Sequence, residues 1–440
     1  MHRRHFISAT ACMAAGAYVR GVHAAGSLNV GFWDHFVPGA NEVLRNLAQE
    51  WARKERVDLR IDLVPSLANK NTMTIAMEAQ AKVGHDILAF PNWFASAHAA
   101  HLEPVDDVMR PLIAQYGALA PVAEYLGKHE GSWIAVPATV GALMYAPCAR
   151  TDLFKKHAGL DLTQMYPANG LPEKSQAGEW TWDRLLVAAE KLFKAGAPVG
   201  IGFGQTADSV ATAGAIFAAH GAFLVNAKGE ITANTDATRR ALEYCKNLSR
   251  FLPPDVFAWD DASNNRWLIS GKGSLILNPP SAWAVAKRDN PRLAEQLWTF
   301  PSPKGPNGRY MACNQSFWGI WKFSKNKAAA RSLLAHLSQR EAVEKLVSAS
   351  EGYDIPPFFS MRDFNIWAQI GPPKGTLANY VPRQDQIISI AHAPAPPPVA
   401  MQMANQALLT RMTAKYAQGN EPIEKVTGWA ESEIEGYLRR

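Results

Sequence analysis

From residue 57 to residue 64, Val, Leu, Ile and Leu alternate with Asp and Arg, so one face of a strand is apolar and the other wet. Upstream, residues 27–33 read as an opening strand. Pro38-Gly39-Ala40-Asn41 then starts a helix whose Val43, Leu44, Leu47 and Trp51 recur at helical spacing. A second helix over 71–82 leads through Gly84-His85-Asp86 into an apolar strand over 87–90. Strand, helix, strand, helix, strand predicts a parallel α/β sheet.

Further along, residues 133–137 predict a short strand, followed past Gly141 by the apolar stretch 142–145. Thr181 stands as an N-cap, with Asp183 in the first turn and Leu185, Leu186, Ala189 and Leu192 on one face. Strands are predicted over 199–203, 273–277, 298–301 and 316–321, and helices over 211–219, 236–250, 264–270, 327–337 and 341–348. His392-Ala-Pro-Ala-Pro-Pro-Pro-Val399 predicts a stiff loop, neither helix nor central strand. Two helices, over 400–418 and 422–438, close the chain.

Residues 1–24 change the compartment. Arg3 and Arg4, beside Phe6, precede a modest apolar stretch that ends at Val22-His23-Ala24, the layout of a cleaved secretory signal of the twin-arginine type. Cleavage near Ala24 leaves about 415 residues, enough for two domains, in the periplasm. Cys12 lies too close to the arginines to serve as a lipid-attachment site after a full apolar region.

Without the three arginines of that signal, 42 basic residues face 39 acidic ones, a balance that argues against nucleic acid or an anionic membrane as partner. Cys148, Cys245 and Cys313 have no metal-ligand or redox spacing; they read as buried thiols, with one disulfide open in an oxidising compartment. Tryptophan is abundant, 14 in all, and several lie beside Asn, Asp, Gly or Pro, which suggests rings stacked in a concave site.

Four stretches carry a family likeness. They are Gly31-Phe32-Trp33-Asp34-His35 before a long helix; Gly84-His85-Asp86-Ile87-Leu88; the run 131–137 with Leu143-Met144-Tyr145 and the Thr181-Trp182-Asp183 helix start; and the run 271–278 followed by Trp283. In order and spacing the chain resembles the extracellular solute-binding proteins of ABC importers, in the carbohydrate-binding group that includes maltose-binding protein. The resemblance implies a type II-like α/β fold of two lobes joined by a multi-segment hinge, with a ligand cleft between them. It places lobe one at 26–137 plus 315–351 and lobe two at 138–314 plus 352–440, with crossings near 137–141, 311–315 and 352–356. It also implies a monomer that shuts on a small solute, expected to be a sugar, oligosaccharide or polyol, and hands it to a membrane permease. Neither cofactor, metal nor catalytic residue is expected.

Candidate contacts follow from strand ends, where ligands collect in open α/β sheets. In lobe one these are Trp33, Asp34, His35, Asn41, Asn92 and Trp93; in lobe two, Gln205, Asp208, Ser209, Asn278, Ser281 and Trp283. Asn314, Gln315, Trp318 and Tyr353 lie at the expected hinge. Asp, Asn and Gln match hydroxyl donors and acceptors, and indole faces match sugar C–H groups. Gly141 stands where some relatives present an acid, a departure from a maltose-like pattern. A box of tryptophans also suits a quaternary ammonium or an aromatic acid. An exported glycoside hydrolase would need two paired carboxylates, which no motif supplies. His98 and His101 lack a third metal ligand, and Gly200-x-Gly202-x-Gly204 lacks the lysine of a phosphate cradle.

Overall fold

A computed structural model describes residues 26–66, 69–169, 179–383 and 386–439, so the expected signal over 1–24 lies outside the described residues. The first half-domain forms as its patterning dictates: β1 (Ser27–Trp33), α1 (Pro38–Glu55), β2 (Asp58–Val64), α2 (Lys70–Ala81) and β3 (Ile87–Pro91). β1 pairs in parallel with β2 from Ser27↔Asp58 to Trp33↔Val64, and with β3 at Val30↔Ile87. The short α3 (Phe94–Ala97) and α4 (Pro121–Gly127) follow.

The two stretches expected at 133–137 and 142–145 merge into one buried strand, β4 (Val136–Met144), which leads through Tyr145-Ala146 to β5 (Pro147–Arg150). Trp133 instead belongs to a two-residue ribbon. α5 (Trp182–Lys194) is capped by Thr181, whose side chain accepts the Arg184 N–H. α6 (Ala207–Ala219), α7 (Asp236–Ser249), α8 (Ser263–Ile269), β6 (Leu275–Leu277), α9 (Ser281–Asp289) and β7 (Leu297–Thr299) complete the second unit, where β5 pairs antiparallel with both β6 and β7.

Residues 199–203 are not a strand; Gly200 makes one isolated bridge to Ile276. The physical reason lies in the glycines. A Cβ at Gly200 would overlap Trp267 and one at Gly204 would overlap the Trp259 backbone, so this stretch threads between close neighbours instead of extending a ladder.

β8 (Gly308–Ile320) is the longest strand, and it joins the large sheet to its surroundings. It runs antiparallel to β3 and to β4, with a bulge between Asn314 and Ser316. α10 (Lys327–Leu337) and α11 (Arg340–Ala349) return to pack on α1. β9 (Ile387–Ser389) pairs in parallel with β8 at Tyr310–Ala312.

The Pro-rich stretch departs from expectation, since α12 (Pro397–Asn405) begins inside it. Pro397 and Pro398 sit in the first turn, where a backbone N–H has no helical acceptor to lose and φ is already suitable. The single helix expected over 400–418 is broken: Ala407 adopts φ 50°, and α13 (Leu408–Ala417) starts after it, followed by α14 (Ile423–Leu438).

One core cluster wraps the large sheet around Leu28, Val30, Phe32, Leu88, Phe90 and Phe317; another gathers Phe154, Trp180, Trp182, Leu185 and Phe217 about the three-stranded sheet. Between them lies a small third cluster of Leu143, Tyr145, Ala211, Ala215, Ala312 and Tyr353, against which Trp33 and Tyr310 pack. Cys148, Cys245 and Cys313 are free and buried. No helix among the described residues is long and apolar enough to cross a membrane.

Candidate functional site

At the end of β1 the predicted polar cluster folds back on itself. Asn41 accepts the His35 N–H through Oδ1 (2.9 Å) and donates through Nδ2 to Asp34 Oδ1 (2.8 Å). Trp33 and Asp34 stay half-buried, with the Trp33 indole donating to Ser66 Oγ at 2.8 Å. The Trp33 ring packs against the small third cluster.

His35 differs. Its Nδ1 accepts the Val37 N–H at 2.8 Å, which leaves Nε2 to donate to Asp354 Oδ1 at 3.2 Å, and both side chains are wholly buried. Asp354 Oδ1 also takes the Gly141 N–H at 2.9 Å. His35 is therefore a clasp between β1, β4 and the segment after α11, and its ring faces no solvent. Tyr353, edge-on to that ring at 5.0 Å, is buried in the same clasp.

The strand-end residues of β3 and β8 hold each other. Asn92 Oδ1 accepts the Gln315 N–H (3.0 Å), and the Asn92 N–H donates to the Gln315 carbonyl (2.7 Å), which fixes the bulge. Asn314 Nδ2 donates to the Gly141 carbonyl at 2.6 Å, and Gln315 Nε2 to the Ser316 carbonyl at 2.9 Å. Trp93 and Trp318 are core residues, at 6% and 2% exposure, so neither offers a face to a solute in this conformation.

On the other side the sequence candidates converge. Asn264 Nδ2 donates to Asp208 Oδ2 (3.2 Å), and Asn278 Nδ2 donates to the side-chain oxygens of Asn264 (3.2 Å) and Asn265 (2.6 Å). Asn265 in turn donates to Ser281 Oγ at 2.9 Å. Three chain segments thus present one amide and carboxylate chain, Asp208–Asn264–Asn278–Asn265–Ser281. Ser209 takes part in the α6 cap, its N–H donating to Thr206 Oγ1 at 3.3 Å. Gln205 is exposed.

A narrow recess of about 10 Å³ lies here, lined by Gly202, Asp208, Ser209, Thr212, Trp259 and Asn264. A larger recess, lined by Gln49, Arg53, Arg56 and Asp58, lies behind β2 and holds no candidate residue. Sequence reading missed Asn264, Asn265, Asp261 and Tyr145. The signal available for three of them was the polar run Asp260-Asp261-Ala262-Ser263-Asn264-Asn265 opening α8.

Trp283 is a correction. It is 0% exposed, and its indole N–H donates to the Pro372 carbonyl at 2.7 Å, which makes it a core anchor. The same chemistry that suits an indole to stacking suits it to a dry interior.

The electrostatics centre on Asp208. Burial, then the nearby charge of Asp261, push its pKa up to about 8, against opposing hydrogen bonds from Asn264 and Tyr145. Tyr145 is raised well above the usual phenol range by burial and by Asp208 and Asp261. Between the ordinary carboxyl value near 4 and about 8, the folded chain keeps a proton that the unfolded chain releases, so stability falls as pH rises through that window. Asp208→Asn should flatten this component and raise melting more at pH 8 than at pH 5. Thermal melts of both proteins at the two pH values check it, and equal pH slopes would refute it.

Among the described residues no group of three or more His, Cys, Asp or Glu is placed to hold a metal. The fold resembles that of several solved proteins. Maltose-bound T. maritima MalE3 is 17% identical, with TM-score 0.70 over 93% of this chain and 99% of that one. A chitin oligosaccharide binding protein is 15% identical, with TM-score 0.72 over 94% and 99%. A sugar transporter protein from Arthrobacter chlorophenolicus A6 with bound laminaribiose is 16% identical, with TM-score 0.70 over 93% and 99%. At such identities the likeness establishes the two-lobed fold. No curated protein is matched by sequence. Residues 39–344, more than half of the chain, match the model of the family described as bacterial extracellular solute-binding protein, and the chain belongs to that family of binding proteins.

Proposed function

We propose that this chain is the periplasmic binding component of an ABC importer, which captures a sugar, oligosaccharide or polyol by closing two lobes and delivers it to a membrane permease. The lobes are 26–137 with 315–351 and 138–314 with 352–440, exported after removal of residues 1–24. One observation carries the ligand class: the hydrogen-bonded chain of carboxylate, amide and hydroxyl groups from Asp208 to Ser281, of which Asp208 and Asn264 line the recess beside Trp259. Vicinal hydroxyls both donate and accept, and such a row of alternating groups satisfies them. The neighbours bound to maltose and laminaribiose support the same reading.

Trp33 packs against the cluster of Tyr145, Ala211 and Tyr353, which this reading takes as the seam between the two walls. A solute touching both walls binds the shut form better than the open one, and that difference drives closure. No bond is made or broken.

A second reading has its own support. Asp208 and Asp261 adjoin, the Asp208 N–H donating to Asp261 Oδ1 at 3.1 Å, beside the rings of Tyr145 and Trp259. Paired carboxylates near aromatic faces suit a quaternary ammonium and disfavour an aromatic acid.

Thermal shift against a carbohydrate panel and a betaine and choline panel decides between them. Carbohydrate at about one hundred times its Kd should stabilise by about 2.7 kcal/mol and raise melting by several degrees. A shift with choline or betaine alone would sink the sugar reading.

A further inference from the structure

The segment from Gln386 to the end of α12 touches both halves of the molecule. β9 lies along β8, Ala391 is seated against Gly214 of α6, and the Tyr125 hydroxyl donates to the Ala395 carbonyl. Within α12, Met401 and Ala404 pack on the large-sheet cluster, whereas Val399, Ala400 and Met403 belong to the other.

Two polar side chains in this segment are cut off from water. His392 is 9% exposed and Gln386 8%, and both ring nitrogens of the one and both amide atoms of the other are buried without a hydrogen-bond partner. His392 also holds φ 67°, a left-handed conformation uncommon outside glycine. Buried polar groups in native proteins are nearly always paired, so four orphaned atoms in one bridging segment need an explanation. His35 gives the contrast within this chain: it is just as buried, and both of its nitrogens are engaged.

We infer that His392 and Gln386 are solute-contacting residues, inserted between the two halves to hydrogen-bond the hydroxyls of the captured solute. This rests on the capture reading above. Burial alone holds the His392 imidazole down to about 3, with no acid or base beside it, so at neutral pH it is uncharged. A neutral imidazole offers one donor and one acceptor, and the Gln386 amide offers both as well. A hydroxyl answers either group. The unusual backbone at His392 fits a position kept for contact rather than for packing.

The test uses His392→Phe, His392→Asn and Gln386→Met, with maltose, laminaribiose and chitobiose as probes in calorimetry and thermal shift. His392→Phe should melt no lower than wild type without probe, because an unpaired buried group is removed. For whichever probe binds wild type, it should weaken affinity at least tenfold, and Gln386→Met should do likewise. His392→Asn, which tolerates the left-handed backbone and keeps a donor and an acceptor, should retain more affinity than His392→Phe. Unchanged affinity in both His392→Phe and Gln386→Met would overturn the inference. So would a fall in the unliganded melt of His392→Phe that His392→Asn does not share, since the imidazole would then have structural partners. If no probe shifts wild type, the sugar reading fails on its own, and the unliganded melts decide this one: a rise for His392→Phe supports it and a fall overturns it.

Discussion

Asp208→Ala is expected to abolish the solute-induced rise in melting temperature while leaving the unliganded protein as stable as wild type or more so. The two effects have opposite signs because the carboxyl has opposite roles in the two states. Without solute it is a desolvated acid beside Asp261, held by hydrogen bonds from Asn264 and Tyr145, and its raised pKa reflects the cost of ionising there. With solute it heads the row of groups that ends at Ser281. A hydrogen bond to a carboxyl that keeps its proton up to about pH 8 contributes about 0.5–1.5 kcal/mol, and the orphaned Asn264 amide adds to the loss, so affinity should drop at least about tenfold. Calorimetric titration with the best carbohydrate of the panel checks the affinity, and melting without ligand checks the fold. Retained binding would remove Asp208 from the site; collapse of the unliganded melt would make it structural.

Trp283→Ala is expected to lower unfolding stability by about 3–5 kcal/mol, the range for deleting a large buried aromatic. The ring is wholly buried, and its N–H bond to Pro372 ties α9 to the segment that follows the last crossing. Lys287 lies 5.2 Å over the same ring and pairs with Glu351, so the substitution also loosens a link between α9 and the end of α11. Urea unfolding measures the loss. A change within 0.5 kcal/mol of wild type would show that the indole is not the anchor its burial indicates.

The first five elements were legible to within a residue or so: α1 and β2 write the period of a one-sided face into the sequence, and β3, buried almost throughout, stood out as a short apolar run. Helices buried on every side carry no such record. α6, with most of its residues interior, announced only its later part, and it begins at Ala207 rather than Ala211. The stretch 199–203 read as a strand because alternating glycines look like one; only the packing of Trp259 and Trp267 shows why the backbone does otherwise.

At the site, Asp208, Asn278 and Ser281 were within reach of strand-end reasoning, and the structure joins them. Asn264 and Asn265 were not, since they sit on a helix and reach the others only through three-dimensional folding. Trp93, Trp283 and Trp318 were misplaced because an indole on a wall and an indole in a core have the same sequence neighbours. Burial separates them, and burial is a property of the whole chain.

The irregular register between β4 and β8 sets a limit on how this chain can change. Between the pairs Asn314–Leu143 and Ser316–Ala138, residues 139–142 of β4 stand opposite Gln315 alone, and downstream of it Phe317 and Ile320 are interior on a ladder with β3. Deleting that residue would turn each later side chain to the opposite face and drive apolar groups outward. Substitutions around this strand are therefore tolerable one at a time, while a single-codon deletion within it would be lethal to the fold.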